Sequence, residues 1–472
     1  MRMVELNGAS LGPGDLFLWR PVAAAAPLEE SAAPPSYVQE QHLQQCDARR
    51  MAGVTQPRWA GVAVDLPGRL DHDVLSAALS AVVRRHDSLS CTFRVERGEA
   101  QRLTVPIGTA GFAVENLGTA ASGAEAASRL IEAFDRWTEP FVWPAFLFAA
   151  VARESGWTLL FAADRVHADL YSLGYVAHEM VECYEAGAGS RPARLLPSAV
   201  YSEYCAAERV AAPDDRARDA AARRWLDLAE AAGGTFPGFP VDLGGGPDQP
   251  HPAAYREIDL ADAATAERFE RWCRDRRGGL TSGLAAAVAH ACAARDRFHA
   301  VLALQTRPSP AKSAIGWYVN AVPLTFAVAD TNTNTNTNTD TDTDTDTHAD
   351  FAGTLLAAQR AMLSGYRDAQ TPYSPVTDQL PEKLGFEQAC WLSLADFRHL
   401  PGADRHAEWN LRAVAAPRHT TGGDLWINRV DRGLAAHIRF PGTDEAHRAV
   451  TTFVDSLTAI IAGIADLGDV WT

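Results

Sequence analysis

The run Trp157-Thr158-Leu159-Leu160-Phe161-Ala162-Ala163, together with the loop behind it, constrains this chain most. A short apolar run of this kind reads as a buried strand. Behind it comes a polar, ionisable loop, Asp164-Arg165-Val166-His167-Ala168-Asp169-Leu170-Tyr171-Ser172. Apolar residues then recur at Leu173, Val176, Met180 and Tyr184, the spacing of a helix. Strand, charged loop and helix in succession are a common way to present chemistry at a crevice. The loop carries one firm restriction: a guanidinium keeps its proton near neutral pH, so Arg165 cannot act as a base.

The same grammar extends over the rest of the chain. Helical spacing covers 70–86, 124–137, 202–232, 261–276, 282–295, 351–364 and 445–464. Strand patterns cover 59–66, 89–95, 100–105, 145–152, 300–305, 321–327, 389–395, 424–430 and 434–440. Strands and helices alternate in both halves, so the expected class is α/β with mixed sheets flanked by helices. Four segments are expected: a loop-rich extension at 1–34, a first lobe at 35–235, a Gly/Pro-rich linker at 236–255 and a second lobe at 256–472. Residues 331–348 alternate Thr with Asn and then with Asp, which leaves no face to bury, and read as a disordered insert.

With 472 residues there is chain enough for two cores. The formal net charge of −16 speaks against a nucleic-acid binder. No run is long and apolar enough to span a membrane, and the N-terminus shows no secretory pattern. The seven cysteines are an odd number with no C-x-x-C pair, so thiols in a reducing, cytoplasmic compartment are expected. No metal-ligand spacing is present. The match Gly8-Ala9-Ser10-Leu11-Gly12 to G-x-S-x-G has no buried strand before it, and the glycines at 244–246 open no helix, so neither reads as a catalytic or nucleotide loop.

Several motifs in order resemble one family. Ser36-Tyr37-Val38-Gln39-Glu40-Gln41-His42 is similar to S-x-x-Q-x-x-h. Arg85-His86-Asp87-Ser88-Leu89-Ser90-Cys91-Thr92-Phe93 is similar to R-H-E-x-L-R-T-x-F, with Ser90 in place of the second Arg. The loop at 164–172 stands where relatives have H-H-x-x-x-D-G-x-S or D-H-x-H-x-D-G-x-S. Tyr201 to Arg209, Gly316 to Leu324 and Gln370 to Val376 fall where further motifs belong. Together they resemble the condensation-domain superfamily of nonribosomal peptide synthesis, and within it the acyltransferases associated with polyketide lipids. The resemblance implies two chloramphenicol-acetyltransferase-like lobes forming a V-shaped pseudo-dimer, with the loop on a tunnel between them.

What the resemblance implies for the loop is specific. Arg165 occupies the place of the catalytic His, Leu170 that of a glycine, and Asp169 that of a carboxylate usually paired with an arginine. Arg165, His167 and Asp169 are the candidate catalytic residues. Asp164, Tyr171, Ser172, Trp317 and Asn320 are candidate substrate-binding residues. Arg165 itself or Arg94 is the expected counter-charge for Asp169. No cofactor is expected beyond the phosphopantetheine arm of a carrier protein, or CoA, as acyl donor. The partners implied are an acyl or peptidyl carrier protein in trans and a small-molecule nucleophile, with Arg84, Arg85 and the arginines from Arg216 to Arg224 as docking candidates. The rival expectation is an inactive condensation-like module that binds carrier-bound intermediates or recruits a tailoring enzyme.

Overall fold

The computed structural model describes residues 2–22, 28–54, 58–106, 111–211, 214–246, 249–308, 313–329, 343–369, 371–372, 376, 380, 384 and 389–467. The chain divides into two compact units. Unit 1 comprises Met1–Ala212, Arg307–Val319 and His399–Pro417; unit 2 comprises Pro213–Thr306, Asn320–Arg398 and Arg418–Thr472.

Unit 1 begins with strands β1 (Arg2–Glu5), β2 (Gly14–Val22) and β3 (Glu29–Glu30). It continues through α1 (Tyr37–Met51), β4 (Trp59–Pro67), α2 (His72–Arg85), β5 (Cys91–Glu96), β6 (Glu99–Thr104) and β7 (Gly111–Ala120). Then come α3 (Gly123–Trp137), β8 (Phe146–Ala152), β9 (Gly156–Asp164), α4 (Leu170–Ala188) and α5 (Tyr201–Val210). Unit 2 supplies α6 (Asp215–Ala231), β10 (His251–Asp262), α7 (Ala263–Asp275), α8 (Leu280–Ala291), β11 (Arg297–Gln305), β12 (Val319–Ala327), α9 (Thr343–Asp368) and β13 (Trp391–Asp396). The chain returns to unit 1 for β14 (Arg412–Ala415). It ends in unit 2 with β15 (His419–Thr420), β16 (Asp424–Val430), β17 (Gly433–Pro441) and α10 (Asp444–Asp466).

The main sheet of unit 1 has seven strands in the order β1-β14-β4-β9-β8-β2-β7. Only the β1–β14 pair is parallel; the others are antiparallel. The loop-bearing strand β9 lies at its centre, between β4 and β8. Successive side chains on a strand point to opposite faces. Leu159, Phe161 and Ala163 accordingly join one core, with Leu79 and Val82 of α2 and Val176 and Met180 of α4. Leu160 and Ala162 join the other, with Leu130 and Phe134 of α3. Burial on both faces is why this strand reads as a continuous apolar run. Each of the buried Leu and Phe side chains contributes roughly 1.5–3 kcal/mol of burial. The β9 strand is thereby a rigid base for the loop at its end.

Unit 2 has its own seven-stranded sheet, in the order β12-β11-β13-β16-β17-β10-β15. The β11–β13 and β13–β16 pairs are parallel, while β16–β17, β17–β10 and β10–β15 are antiparallel. Helices α7 to α10 cover it through a single core that includes Phe269, Val288, Leu355 and Phe453. Each unit therefore carries a mixed sheet flanked by helices, the expected class. Among the described residues, α10 alone is long and apolar enough to cross a membrane. Its Val450, Phe453, Val454, Leu457 and Ile461 pack into the core of unit 2.

Several expectations need correction. Residues 2–22 are not a loop-rich extension: β1 and β2 belong to the main sheet of unit 1, with Leu16, Leu18 and Trp19 buried. The short apolar run Leu16-Phe17-Leu18-Trp19 was the available signal, masked by glycines and prolines around it. The expected linker at 236–255 overlaps β10, a long strand whose proline, Pro252, sits near its start. The division between units falls near 212 rather than 235, because α6 packs Trp225 and Leu228 against Val301 and Ala321 of unit 2. Segments 307–319 and 399–417, expected in the second lobe, belong to unit 1. The repeat at 331–348 lies outside the described residues up to 342, and α9 already begins at Thr343.

Candidate functional site

The loop starts where β9 ends. Asp164 is the last residue of that strand, Arg165 to His167 form a turn, and Asp169 caps α4 by accepting the backbone N–H of Ser172 at 2.7 Å. An aspartate at this position satisfies an otherwise orphaned helix donor and suits the positive end of the helix dipole. Leu170 takes helical backbone as the first residue of α4, so the glycine of relatives is dispensable here and its loss stores no strain.

Helix α1 holds the turn from beneath. Ser36 and Gln39 form a capping box at its N-terminus. The Gln39 side-chain amide also donates to the Val166 carbonyl at 2.6 Å, and its oxygen accepts from Arg102 at 3.0 Å. One turn on, His42 Nε2 meets Asp164 Oδ1 at 2.8 Å, with both groups buried. Burial alone would push the imidazole down, but the Asp164 carboxylate overrides it and raises His42 to about 9. Burial likewise opposes ionisation of Asp164, and the His42 charge outweighs it, holding that carboxyl below its usual range. The pair is thus an imidazolium–carboxylate ion pair at neutral pH. Val166 N–H adds a further bond to Asp164 Oδ1 at 2.8 Å. The half-buried Trp317 packs against His42 in a T-shaped arrangement, with ring centroids 5.4 Å apart. Asp164 is therefore an ion-pair partner inside the scaffold, not the substrate contact expected of it.

The second anchor is Asp169. Its Oδ1 accepts from Arg307 Nη2 at 3.1 Å and its Oδ2 from the Tyr318 N–H at 3.0 Å. Arg307 also reaches the Ser172 hydroxyl at 3.0 Å and lies over the Tyr318 ring at 4.2 Å. The counter-charge identified for Asp169 is Arg307, a residue given no role by sequence. Arg94, one of the two expected cations, is exposed and pairs with Glu96 and Gln101. Ser172 is fully buried; its hydroxyl donates to the Gly316 carbonyl at 2.7 Å and accepts the Gly316 N–H at 3.1 Å. It knits α4 to the 313–318 segment and has no surface for a substrate. A Cβ at Gly316 would collide with the Tyr201 ring, which explains glycine there.

His167, expected as a catalytic residue, lies inside the core. Its Nδ1 meets the Ser88 carbonyl at 2.6 Å, and its ring sits 6.1 Å from the rings of both Phe93 and Phe146. Burial lowers it to about 4, so it is neutral, with Nε2 enclosed and without a hydrogen-bond partner among the described residues. A base must reach the proton that it abstracts, and this ring is 0% exposed. Asn320 is also structural: its amide donates to the carbonyls of Ala369 at 2.8 Å and Thr371 at 2.9 Å within unit 2. Arg165 and Tyr171 are half-buried on the loop. Of the expected residues, then, Arg165, Tyr171 and Trp317 keep surface within unit 1.

The motif around His86 builds the wall behind the loop. His86 Nε2 meets Glu179 at 2.8 Å, Arg85 Nε donates to the same carboxylate at 3.2 Å, and Ser313 bonds it too. Asp87 accepts the backbone N–H groups of Tyr201 and Ser202, both at 2.8 Å, at the start of α5. Arg85 is consequently committed to the interior and is not a docking residue. Arg218 and Arg224 are paired with Asp215 and Asp368; Arg84, Arg216 and Arg223 remain exposed. Among the described residues, no group of three or more His, Cys, Asp or Glu side chains is arranged to hold a metal ion.

Known proteins place this architecture. The chain matches the Condensation domain family over residues 60–387. It is 24% identical to the acyltransferase PapA3 of Mycobacterium tuberculosis, over 96% of this chain and 95% of that protein. It is 29% identical to the trehalose-2-sulfate acyltransferase PapA2 of Mycobacterium bovis, over 67% of this chain and 69% of that one. The solved structure of a PapA2 acyl transferase superposes with a TM-score of 0.83 at 23% identity, covering 99% of this chain and 100% of that chain. With the motif loop, its scaffold and the family match in agreement, the chain belongs to the condensation-domain family.

Proposed function

We propose that this protein transfers an acyl group from a thioester to a hydroxyl or amine. The thioester is the phosphopantetheine arm of a carrier protein, or CoA. Support comes from similarity to an acyltransferase along 96% of the chain, joined to an intact scaffold around the substituted position. The observation that carries the reading is the buried Asp169–Arg307 ion pair with Ser172, which fixes the start of α4 and the loop before it. A protein that had abandoned chemistry at this loop has no need to keep two buried ion pairs beneath it, since such pairs are costly to desolvate.

In this reading Arg165 works by charge. As the thioester carbonyl is attacked, negative charge collects on its oxygen, and a fixed cation beside that oxygen lowers the barrier. The donor C–S bond breaks as the new bond to the acceptor forms, and the proton of the hydroxyl or amine ends on the departing donor sulfur. The test is turnover of an acyl-CoA and of a loaded carrier protein by wild type, Arg165→Ala and Arg165→His. Removing one such electrostatic contact is expected to cost roughly 10²–10³ in kcat. A wild-type protein that binds the loaded carrier yet leaves the thioester intact sinks the proposal. So does Arg165→His outrunning the wild type, which marks a lapsed enzyme.

A further inference from the structure

Beneath the loop lies a buried cation, Arg102 of β6, only 3% exposed. Its Nη2 donates to Gln39 Oε1 at 3.0 Å and to Cys205 Sγ at 3.1 Å, and its Nη1 to Cys91 Sγ at 3.6 Å. The guanidinium also lies over the Phe93 and Tyr201 rings, 5.4 and 5.7 Å from their centroids. None of these neighbours is an anion. Burial pushes the Cys91 thiol up to about 11 and the Cys205 thiol up to about 12, and it holds the Tyr201 phenol well above its ordinary value. Among the described residues Arg102 makes no ion pair with a carboxylate. Burying a guanidinium without one is unfavourable, so the charge needs a reason beyond packing.

Gln39 supplies that reason. A side-chain amide has one accepting oxygen and one donating nitrogen. The Gln39 oxygen faces three donors: the Ser36 N–H at 3.0 Å, Arg102 Nη2, and the Cys205 S–H at 3.6 Å. Rotated by half a turn, the amide would set its own N–H groups against these donors, and the charged one makes that most unfavourable. The nitrogen is thereby committed to the Val166 carbonyl, which it reaches at 2.6 Å. Asp164 Oδ1 holds the Val166 N–H at 2.8 Å. Both backbone polar groups of the residue after Arg165 are therefore pinned, one of them through Arg102. We infer that Arg102 is a positioning residue: by fixing the Gln39 amide it fixes the turn that carries Arg165, and so the placement of that cation during acyl transfer. The last step rests on the acyltransferase reading above; the hold on the turn does not.

Two variants of the full chain separate positioning from stability. Gln39→Glu gives Arg102 a carboxylate, so the interior stays satisfied, but it puts an acceptor where the Val166 carbonyl needs a donor. Arg102→Met removes the cation and frees the amide to rotate. In both, hydrogen exchange over residues 164–168 is expected to quicken by ~10-fold or more, with β4 and β9 unchanged. Gln39→Glu is expected to keep the wild-type melting temperature. With palmitoyl-CoA as donor and octylamine as acceptor, kcat is expected to fall roughly 10–100-fold in both variants, with KM for the donor held. Exchange at 164–168 unchanged in either variant, exchange quickened equally across unit 1, or wild-type kcat in Gln39→Glu overturns the inference. Exchange that responds as expected in a protein whose wild type transfers nothing from any acyl thioester overturns instead the acyltransferase reading, and leaves Arg102 as the holder of the turn.

Discussion

The His42–Asp164 pair makes clear demands on single residues. Removing one partner from a buried ion pair strands the other charge, at a cost of about 3–5 kcal/mol. His42→Gln and Asp164→Asn are each expected to lose that much in chemical denaturation, and the double variant less than their sum. The pH dependence has two signs. His42 is raised from 6.5 to about 9, so its stabilisation is full below 6.5 and lost as pH climbs through about 9. His167 is depressed from 6.5 to about 4, so its contribution is present above 6.5 and lost as pH falls through about 4. Thermal melts are expected to peak near neutrality and fall on both flanks, and His42→Gln should flatten the alkaline flank. The sequence exposed much of this residue layer. The loop's position was readable because β9 is buried on both faces, whereas Ser36, Gln39 and His42 stood out only through their likeness to a family motif, with no role attached. Arg307 was not readable, because it lies 138 positions from Asp169 and no local pattern marks it.

At the level of elements, α4 is aimed by its first turn. Asp169 caps it from within, while Arg307 and Gly316 grip Asp169 and Ser172 from a segment that arrives late in the chain. Arg307→Met removes that cation from the buried Asp169, whose bonds from the Ser172 and Tyr318 backbone N–H groups stay in place. The expected result is a loss of about 3–5 kcal/mol and faster hydrogen exchange at the start of α4, with the β9 amides unchanged. Uniform exchange across unit 1 would contradict that local role. Elements with a strong period were legible: β16 runs over the expected residues, and α3 and α10 begin within one residue of expectation. β7 was not, because its residues are mostly exposed or half-exposed and it pairs only with β2, so no apolar alternation betrays it. Nor was the 201–231 region correctly divided, since helical spacing runs through it while Asp214 restarts a second helix with its own cap.

For the molecule as a whole, composition and alternation were enough to give two α/β units, yet not their boundaries. Boundaries depend on which sheet a strand joins, and that choice is made by partners far away in sequence. β14 is the case that matters. It sits between β1 and β4, and its Arg412 bonds Asp65 across 347 positions. Its arrival is also a matter of timing. A ribosome making this protein releases α1, β4 and β9 long before Arg412 exists, so β1 must wait without a neighbour until β14 has been made. A nascent chain stalled after residue 398 should be cut readily by protease at β1, and one released after 417 should resist there. Chaperone dependence of the newborn protein would follow from that exposed edge, and appending β14 to the N-terminus through a short linker should relieve it.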